Sequence, residues 1–223
     1  MSTTSSRLRG NAYSVVKRAM DLVFAVVLIV VLAPVAGVIT LAILVAQGRP
    51  VYFRQLRTGL NGNSFRMMKF RTMRPDLDGS GTASDHLRVT RLGRFLRATS
   101  LDELPNIFNV LVGEMSIVGP RPMLSQFIEH HSEGHHDRRH DVRPGITGLA
   151  QVNGRNDLEY VERFEFDLQY VERFSFWLDS MIVLRTVPSV LLRRGASGWT
   201  PCDLAATDAT IEPASERRRV LAA

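Results

Sequence analysis

Apolar positions fall into one long block followed by several shorter periodic stretches. Leu22 to Ala46 is a 25-residue run without a charge, LVFAVVLIVVLAPVAGVITLAILVA. A straight helix of that length would measure roughly 37 Å, enough for a hydrocarbon core of ~30 Å. The run is too long for the apolar part of a cleaved signal peptide, and no small-residue cleavage site stands out beyond it. Pro34 stands at its midpoint and Gly37 follows one turn later. Proline removes the hydrogen bond to the carbonyl of Val30 and kinks a helix. Both flanks are basic: Arg7, Arg9, Lys17 and Arg18 precede the run, and Arg49, Arg54, Arg57, Arg66 and Lys69 follow it. Positive flanks favour the cytoplasmic side, so a spanning helix satisfies one flank and a helix that dips in and returns satisfies both. A plain anchor with a tolerated proline is the alternative. The pattern leaves the two open.

The segment before the run, 1–12, is polar and reads as mobile. After it, Val51 to Arg57 and Phe65 to Arg71 are short strand-like runs around the turn GLNGN, which predicts a hairpin. Arg74 to Asp85 reads as a loop. In Arg88 to Arg97, Val89, Leu92 and Leu96 recur at helical spacing among four arginines. A basic amphipathic helix of this kind can lie in a membrane interface. Gln126 to Asp141 holds five histidines among acids. His131/His135 and His136/His140 have the i,i+4 spacing of metal ligands, but no HExxH is present and Gly134 interrupts them, so a solvated polar helix is the better reading. Leu158 to Val187 resumes helical periodicity, with aromatic positions that suit a core or an interface. Asp179 follows that aromatic cluster and needs a partner there. Residues 197–223 are small and polar and read as disordered.

The densest chemistry lies in Arg97 to Pro122, RATSLDELPNIFNVLVGEMSIVGPRP. Ser100 and Glu103 have the spacing of a capping box, with Leu104, Ile107, Phe108 and Leu111 as the buried face of the helix that follows. Pro105, one turn in, points to a later start or a kink. Asp102 and Glu103 are adjacent acids, which on a helix point about 100° apart and can serve different partners. Further on, Pro120 and Pro122 stiffen the backbone on either side of Arg121. Arg143 to Asn156, RPGITGLAQVNGRN, has the prolines and glycines of an ordered binding loop, but it is neither a Walker A nor a GxGxxG sequence.

Charge narrows the partners only slightly. The net charge is +6 and the pI about 10.2, which suits nucleic acid, anionic lipid or a phosphorylated substrate. Neither a recognition helix nor an aromatic-basic sheet is evident, so nucleic acid is not expected. Cys202 is alone, so no intrachain disulfide is possible.

An apolar run interrupted by proline, KFRTM, TSLDELPN, GEMSIVGPRP and RPGITGLAQVNGRN occur in that order. Together they resemble the bacterial sugar transferases, also called monotopic phosphoglycosyl transferases, over about residues 13–196. The short chain is similar to the small members, which lack a bundle of four helices before the core. The resemblance implies an α+β, mainly α fold: a re-entrant membrane helix over 13–50 broken at Pro34, and a catalytic domain over 51–196. It implies transfer of a sugar 1-phosphate from a UDP-sugar to undecaprenyl phosphate at the cytoplasmic face of the inner membrane, initiating exopolysaccharide, O-antigen or glycan synthesis. Self-association into a homo-oligomer is compatible with it. The family often has serine before the breaking proline, where this chain has Ala33.

By the same resemblance, Asp102 attacks the phosphorus nearer the sugar, forms an acyl-phosphate and releases UMP. Glu103 serves as base when the lipid phosphate attacks. Mg²⁺ bridges the diphosphate and Asp102. Lys69, Arg97, Arg121 and Asp179 are supporting residues, and Arg143 and Arg155 are candidates for the diphosphate or uridine. The competing expectation is an inactive membrane-anchored scaffold of a polysaccharide assembly complex, against which the retention of both acids speaks.

Overall fold

The computed structural model describes residues 3–75, 88–124, 134–154 and 158–191. The molecule is mainly helical with two small two-stranded sheets. Its elements are α1 (Thr3–Gln47), β1 (Tyr52–Thr58), β2 (Ser64–Phe70), α2 (Arg91–Ala98), α3 (Asn106–Val112), β3 (Ser116–Val118), β4 (Gly145–Thr147), α4 (Leu149–Asn153), α5 (Tyr160–Arg173) and α6 (Phe176–Leu191). The expected tail 197–223 and the loop beyond residue 75 lie outside the described residues.

Helix α1 begins at Thr3, inside the segment read as mobile, and continues through Pro34 without interruption. The expected break there is not seen as a gap in the helix. The domain packs on both sides of the proline: Ala25, Leu28, Ile29 and Leu32 pack before it, and Ala36, Ile39 and Ile43 after it. These positions recur every three or four residues and form one stripe. Much of the rest of the run is apolar and exposed, including Val23, Val27, Val30, Val31, Val38, Leu41 and Val45. Tyr13–Gln47 is long and apolar enough to cross a membrane.

The hairpin forms as expected, with β1 and β2 antiparallel in continuous register from Tyr52↔Phe70 to Thr58↔Ser64. Asn61 and Gly62 take positive φ in its turn. Alternation along β2 buries Phe65 and Met67 and puts Lys69 on the same side of the strand. The free edge of β2 is satisfied by one side chain: Asn109 of α3 accepts from Met68 N at 3.2 Å and donates to Arg66 O at 2.9 Å. Phe65 and Met67 then pack with Ala25, Ile107, Val110 and Met115 into a core shared by α1, β2 and α3.

Parallel pairing joins β3 to β4, Ser116 to Gly145 and Val118 to Thr147. This brings the GPRP and RPGITG segments together. A Cβ on Gly145 would lie 2.1 Å from Gly119 N, so bare backbones are needed for this approach. The glycines of the expected binding loop thus serve a strand crossing. The helical stretch expected over Leu158–Val187 is present as two helices, α5 and α6, separated at Phe174 and Ser175. Phe164 and Tyr170 are buried, whereas Phe176 and Trp177 are exposed.

Candidate active site

Four elements converge on Asp102 and Glu103. The chain leaves β2 through Arg71 and Thr72, and α2 packs across that exit. Thr90 caps α2 by accepting from Gly93 N at 2.9 Å. A Cβ at Gly93 would meet Thr72 O at 1.9 Å, so only glycine lets the helix seat so closely. The seat brings Arg97 Nε to 2.9 Å from Thr72 Oγ1.

After α2, Ser100 adopts a left-handed conformation, φ 57°, and its side chain makes no cap. The expected capping box therefore does not form. Leu101–Glu103 is a single turn of 3-10 helix, and α3 starts only at Asn106, after Pro105. Proline supplies the first helical dihedral and lacks the N–H that a longer helix would need. Within α3 the buried positions are Asn106, Ile107, Asn109 and Val110, while Phe108, expected inside, is exposed.

The tight turn gives the two acids different surroundings. Glu103 Oε1 accepts from Lys69 Nζ at 2.8 Å and from Arg121 NH2 at 2.7 Å. Burial opposes its ionisation, but the charges and hydrogen bonds of Arg121 and Lys69 outweigh that and hold its carboxyl below the ordinary carboxylate range. Asp102 is 8% exposed, and no described residue donates a hydrogen bond to its carboxylate. Burial pushes its carboxyl up; the charge of Glu103 adds to the rise, while Lys69, Arg97 and Arg121 oppose it. One acid is thus locked as an anion by two cations. Its neighbour is oriented by no bond among the described residues and lies near the same cations.

Arg121 reaches Glu103 from the loop after β3. Its neighbours Gly119 and Pro120 are tied to the β4 segment: Gly119 N donates to Thr147 O at 2.9 Å, and Gly145 N donates to Pro120 O at 2.9 Å. Burial of the pair Arg139–Asp167 underlies the same loop. Arg139 NH2 donates to Asp167 Oδ2 at 2.6 Å and to Arg121 O at 2.7 Å. No local pattern marks this pair in the sequence, because its members lie far apart in the chain.

The other expected site residues that are described make their contacts with other elements. Asp179 accepts from Tyr13 OH at 2.7 Å, Lys17 Nζ at 2.6 Å and Tyr170 OH at 2.7 Å, so it has the partners its burial demands. Its contacts tie α1 to α5 and α6; none joins it to Asp102 or Glu103. Arg143 Nε donates to Gly113 O at 2.9 Å, and Arg18 donates to the carbonyls of Val110 and Leu111 at 2.6 and 3.0 Å. Both arginines thus close the C-terminal end of α3, where helix carbonyls lack partners. Arg155 lies outside the described residues, as do His130 and His131.

The solvated polar helix expected at the histidines is instead the 3-10 segment Gly134–Asp141 packed on α5. His136 is 2% exposed against the Phe164 ring, 4.9 Å between centroids. His140 is pushed down to about 4 by burial and by the charge of Arg139. Among the described residues no three His, Cys, Asp or Glu side chains form a metal cluster.

A family model described as bacterial sugar transferase matches residues 12–193. The chain belongs to the bacterial sugar transferase family. Among individual sugar transferases, it is 42% identical over 186 residues to the uncharacterized sugar transferase EpsL of Bacillus subtilis, covering 81% of this chain and 90% of that protein. It is 44% identical over 185 residues to the UDP-glucose:undecaprenyl-phosphate glucose-1-phosphate transferase of Caulobacter vibrioides, covering 78% and 69% respectively. The Xanthomonas campestris protein of the same description is 43% identical over 199 residues, but there the match spans 84% of this chain and only 41% of the relative. This sugar transferase thus corresponds to nearly all of one relative and to less than half of another.

Proposed function

We propose that this sugar transferase moves a sugar 1-phosphate from a UDP-sugar to undecaprenyl phosphate, releasing UMP and leaving a polyprenyl diphosphate sugar. The observation that carries the reading is the asymmetry of the two acids: Glu103 is held by Lys69 and Arg121, and Asp102 is buried beside the same cations with no hydrogen bond to its carboxylate among the described residues. A carboxylate attacks phosphorus well when its own lone pairs are free and the phosphate charge is neutralised. Asp102 Oδ attacks the phosphorus nearer the sugar, the P–O bond to UMP breaks, and an aspartyl phosphosugar results. Lys69, Arg97 and Arg121 offset the charge of the diphosphate. The lipid phosphate then attacks the same phosphorus and frees Asp102. Glu103, expected as the base, is held so far below the ordinary range that it accepts protons weakly and serves instead to hold Lys69 and Arg121 at the phosphates.

Mg²⁺ fits this site as a shared ion: one free carboxylate and two substrate phosphates are a donor set that magnesium accepts, with water completing its shell. Asp102 would hold it. When bound, it would neutralise charge on the diphosphate.

A membrane acceptor requires the site to stay near the headgroups. Support comes from α1, whose apolar run stays against the domain at both ends. Arg18 bonds α3 carbonyls before the run, and Arg71 NH2 bonds the carbonyls of Gln47 and Gly48 after it, at 2.6 and 2.7 Å. A helix that carried one end away across the bilayer could not keep both ties. We therefore favour a re-entrant α1 with the domain on the cytoplasmic face of the inner membrane. UDP-glucose is the first donor to test, because several relatives are named for it.

The test is UMP release from a panel of UDP-sugars with undecaprenyl phosphate and Mg²⁺, comparing wild type with Asp102→Asn. Release by wild type, lost in the variant, is expected. Wild-type turnover in Asp102→Asn would remove Asp102 as nucleophile. No release with any donor would favour the scaffold.

A further inference from the structure

The buried pair Arg139–Asp167 has more charge than its bonds use. Both side chains are 2% exposed. Arg139 NH2 serves both Asp167 and the carbonyl of Arg121, while its Nε and NH1 and Asp167 Oδ1 have no hydrogen-bond partner among the described residues. The remaining support for the guanidinium is the Phe164 ring, 5.0 Å from its central carbon. Such a pair is a poor way to stabilise a fold, since apolar replacements of equal volume usually do as well or better. Its placement is informative: the shared nitrogen grips the backbone of the residue whose side chain holds Glu103.

We propose that Arg139 and Asp167 are positioning residues that fix the carbonyl of Arg121 and so aim its guanidinium at Glu103 and the substrate phosphates. Pro120 fixes its own φ, and Pro122 restricts Arg121 to extended conformations. Extended conformations still span a range of ψ, and ψ sets the direction of the Arg121 carbonyl. Arg139 holds that carbonyl, and Asp167 holds Arg139. The line runs Asp167, Arg139, Arg121 backbone, Arg121 side chain, Glu103, Lys69. Two buried groups outside the site thus set its geometry. The inference rests on the reading of Arg121 as a phosphate-binding residue.

The experiment separates positioning from stability. In Arg139→Met/Asp167→Leu both charges leave together, so the fold is expected to melt at or above the wild-type temperature. With the grip on Arg121 O lost, kcat is expected to fall about 10-fold to 100-fold with little change in donor KM. Arg139→Lys/Asp167→Glu, which restores a cation near that carbonyl, should recover part of the loss. Hydrogen exchange over 116–124 should quicken in the double apolar variant and return toward wild type in the conservative one. A stable double apolar variant with wild-type kcat and exchange would overturn the proposal. Should that variant not fold, Asp167→Asn decides: unchanged kcat and unchanged exchange overturn it. If wild type releases no UMP, the proposed reaction fails, but the exchange comparison still tests whether the pair holds the loop.

Discussion

At the scale of single residues, two adjacent acids of this sugar transferase make opposite contributions. Asp102 is an acid raised by burial. Its ionised form costs the fold stability, a cost that sets in as pH rises through the unfolded-state value and is complete above the folded one. Glu103 is depressed by its cations, so its contribution is present above the ordinary carboxylate range and lost as pH falls. Asp102→Asn should therefore raise the melting temperature by a few degrees, about 1 kcal/mol, while abolishing turnover. Glu103→Gln should lower stability by about 2 kcal/mol, because Lys69 and Arg121 lose their carboxylate. Calorimetry of both variants checks the signs; equal shifts in one direction would contradict the asymmetry. The same upward shift predicts that kcat/KM falls with decreasing pH at a higher pH than an unperturbed aspartate would give, as Asp102 takes up a proton. A pH–rate profile of the donor half-reaction measures it.

At the scale of elements, the site depends on how closely α2 seats on the exit of β2. The clash of 1.9 Å with a backbone oxygen leaves Gly93→Ala no side chain to displace, so α2 must move. The expected cost is about 2 kcal/mol, together with reduced turnover as Arg97 leaves Thr72. Denaturation and UMP release on one preparation would show both; a variant with wild-type values would mean that the helix is free to shift. Asn109 illustrates a second device. By standing in for a strand at the edge of β2, it fixes α3 against the hairpin that bears Lys69. The acids and their lysine partner are thus set by one amide.

For the whole molecule, α1 is both a helix long and apolar enough to cross a membrane and a core element. Its stripe from Asp21 to Ile43 faces the domain: Asp21 accepts from Ser116 Oγ at 2.7 Å and from Ile117 N at 3.0 Å, and Ala25 and Ile43 are fully buried. Removing the helix should therefore unfold the domain as well as release it from the bilayer. Topology can be read by single cysteines at positions 5 and 50 in a Cys202→Ser background. Labelling of both from the cytoplasmic side by an impermeant maleimide is expected for a re-entrant helix, whereas labelling from opposite sides would establish a spanning one.

Sequence alone determined what depends on near neighbours in the chain. Alternation and a Gly/Asn turn specify the hairpin; an uncharged run specifies the apolar part of α1; the motif order names the family, and the resemblance offers Asp102, Glu103, Lys69, Arg97, Arg121, Arg143, Arg155 and Asp179 as candidates. Tertiary structure decided what depends on distant partners. It carried α1 through Pro34, with the domain packed on both sides of that residue. It replaced the capping box with a 3-10 turn, since Pro105 delays α3. It turned Arg143 and Asp179 into internal ties because unpaired helix carbonyls and buried donors lay within their reach. It also gave two neighbouring acids opposite electrostatics. Periodicity reports which face of an element is apolar, but a carboxylate's charge state depends on which cations reach it through space. Here those cations, Lys69 and Arg121, come from opposite sides of the acids in the chain and meet only in the fold.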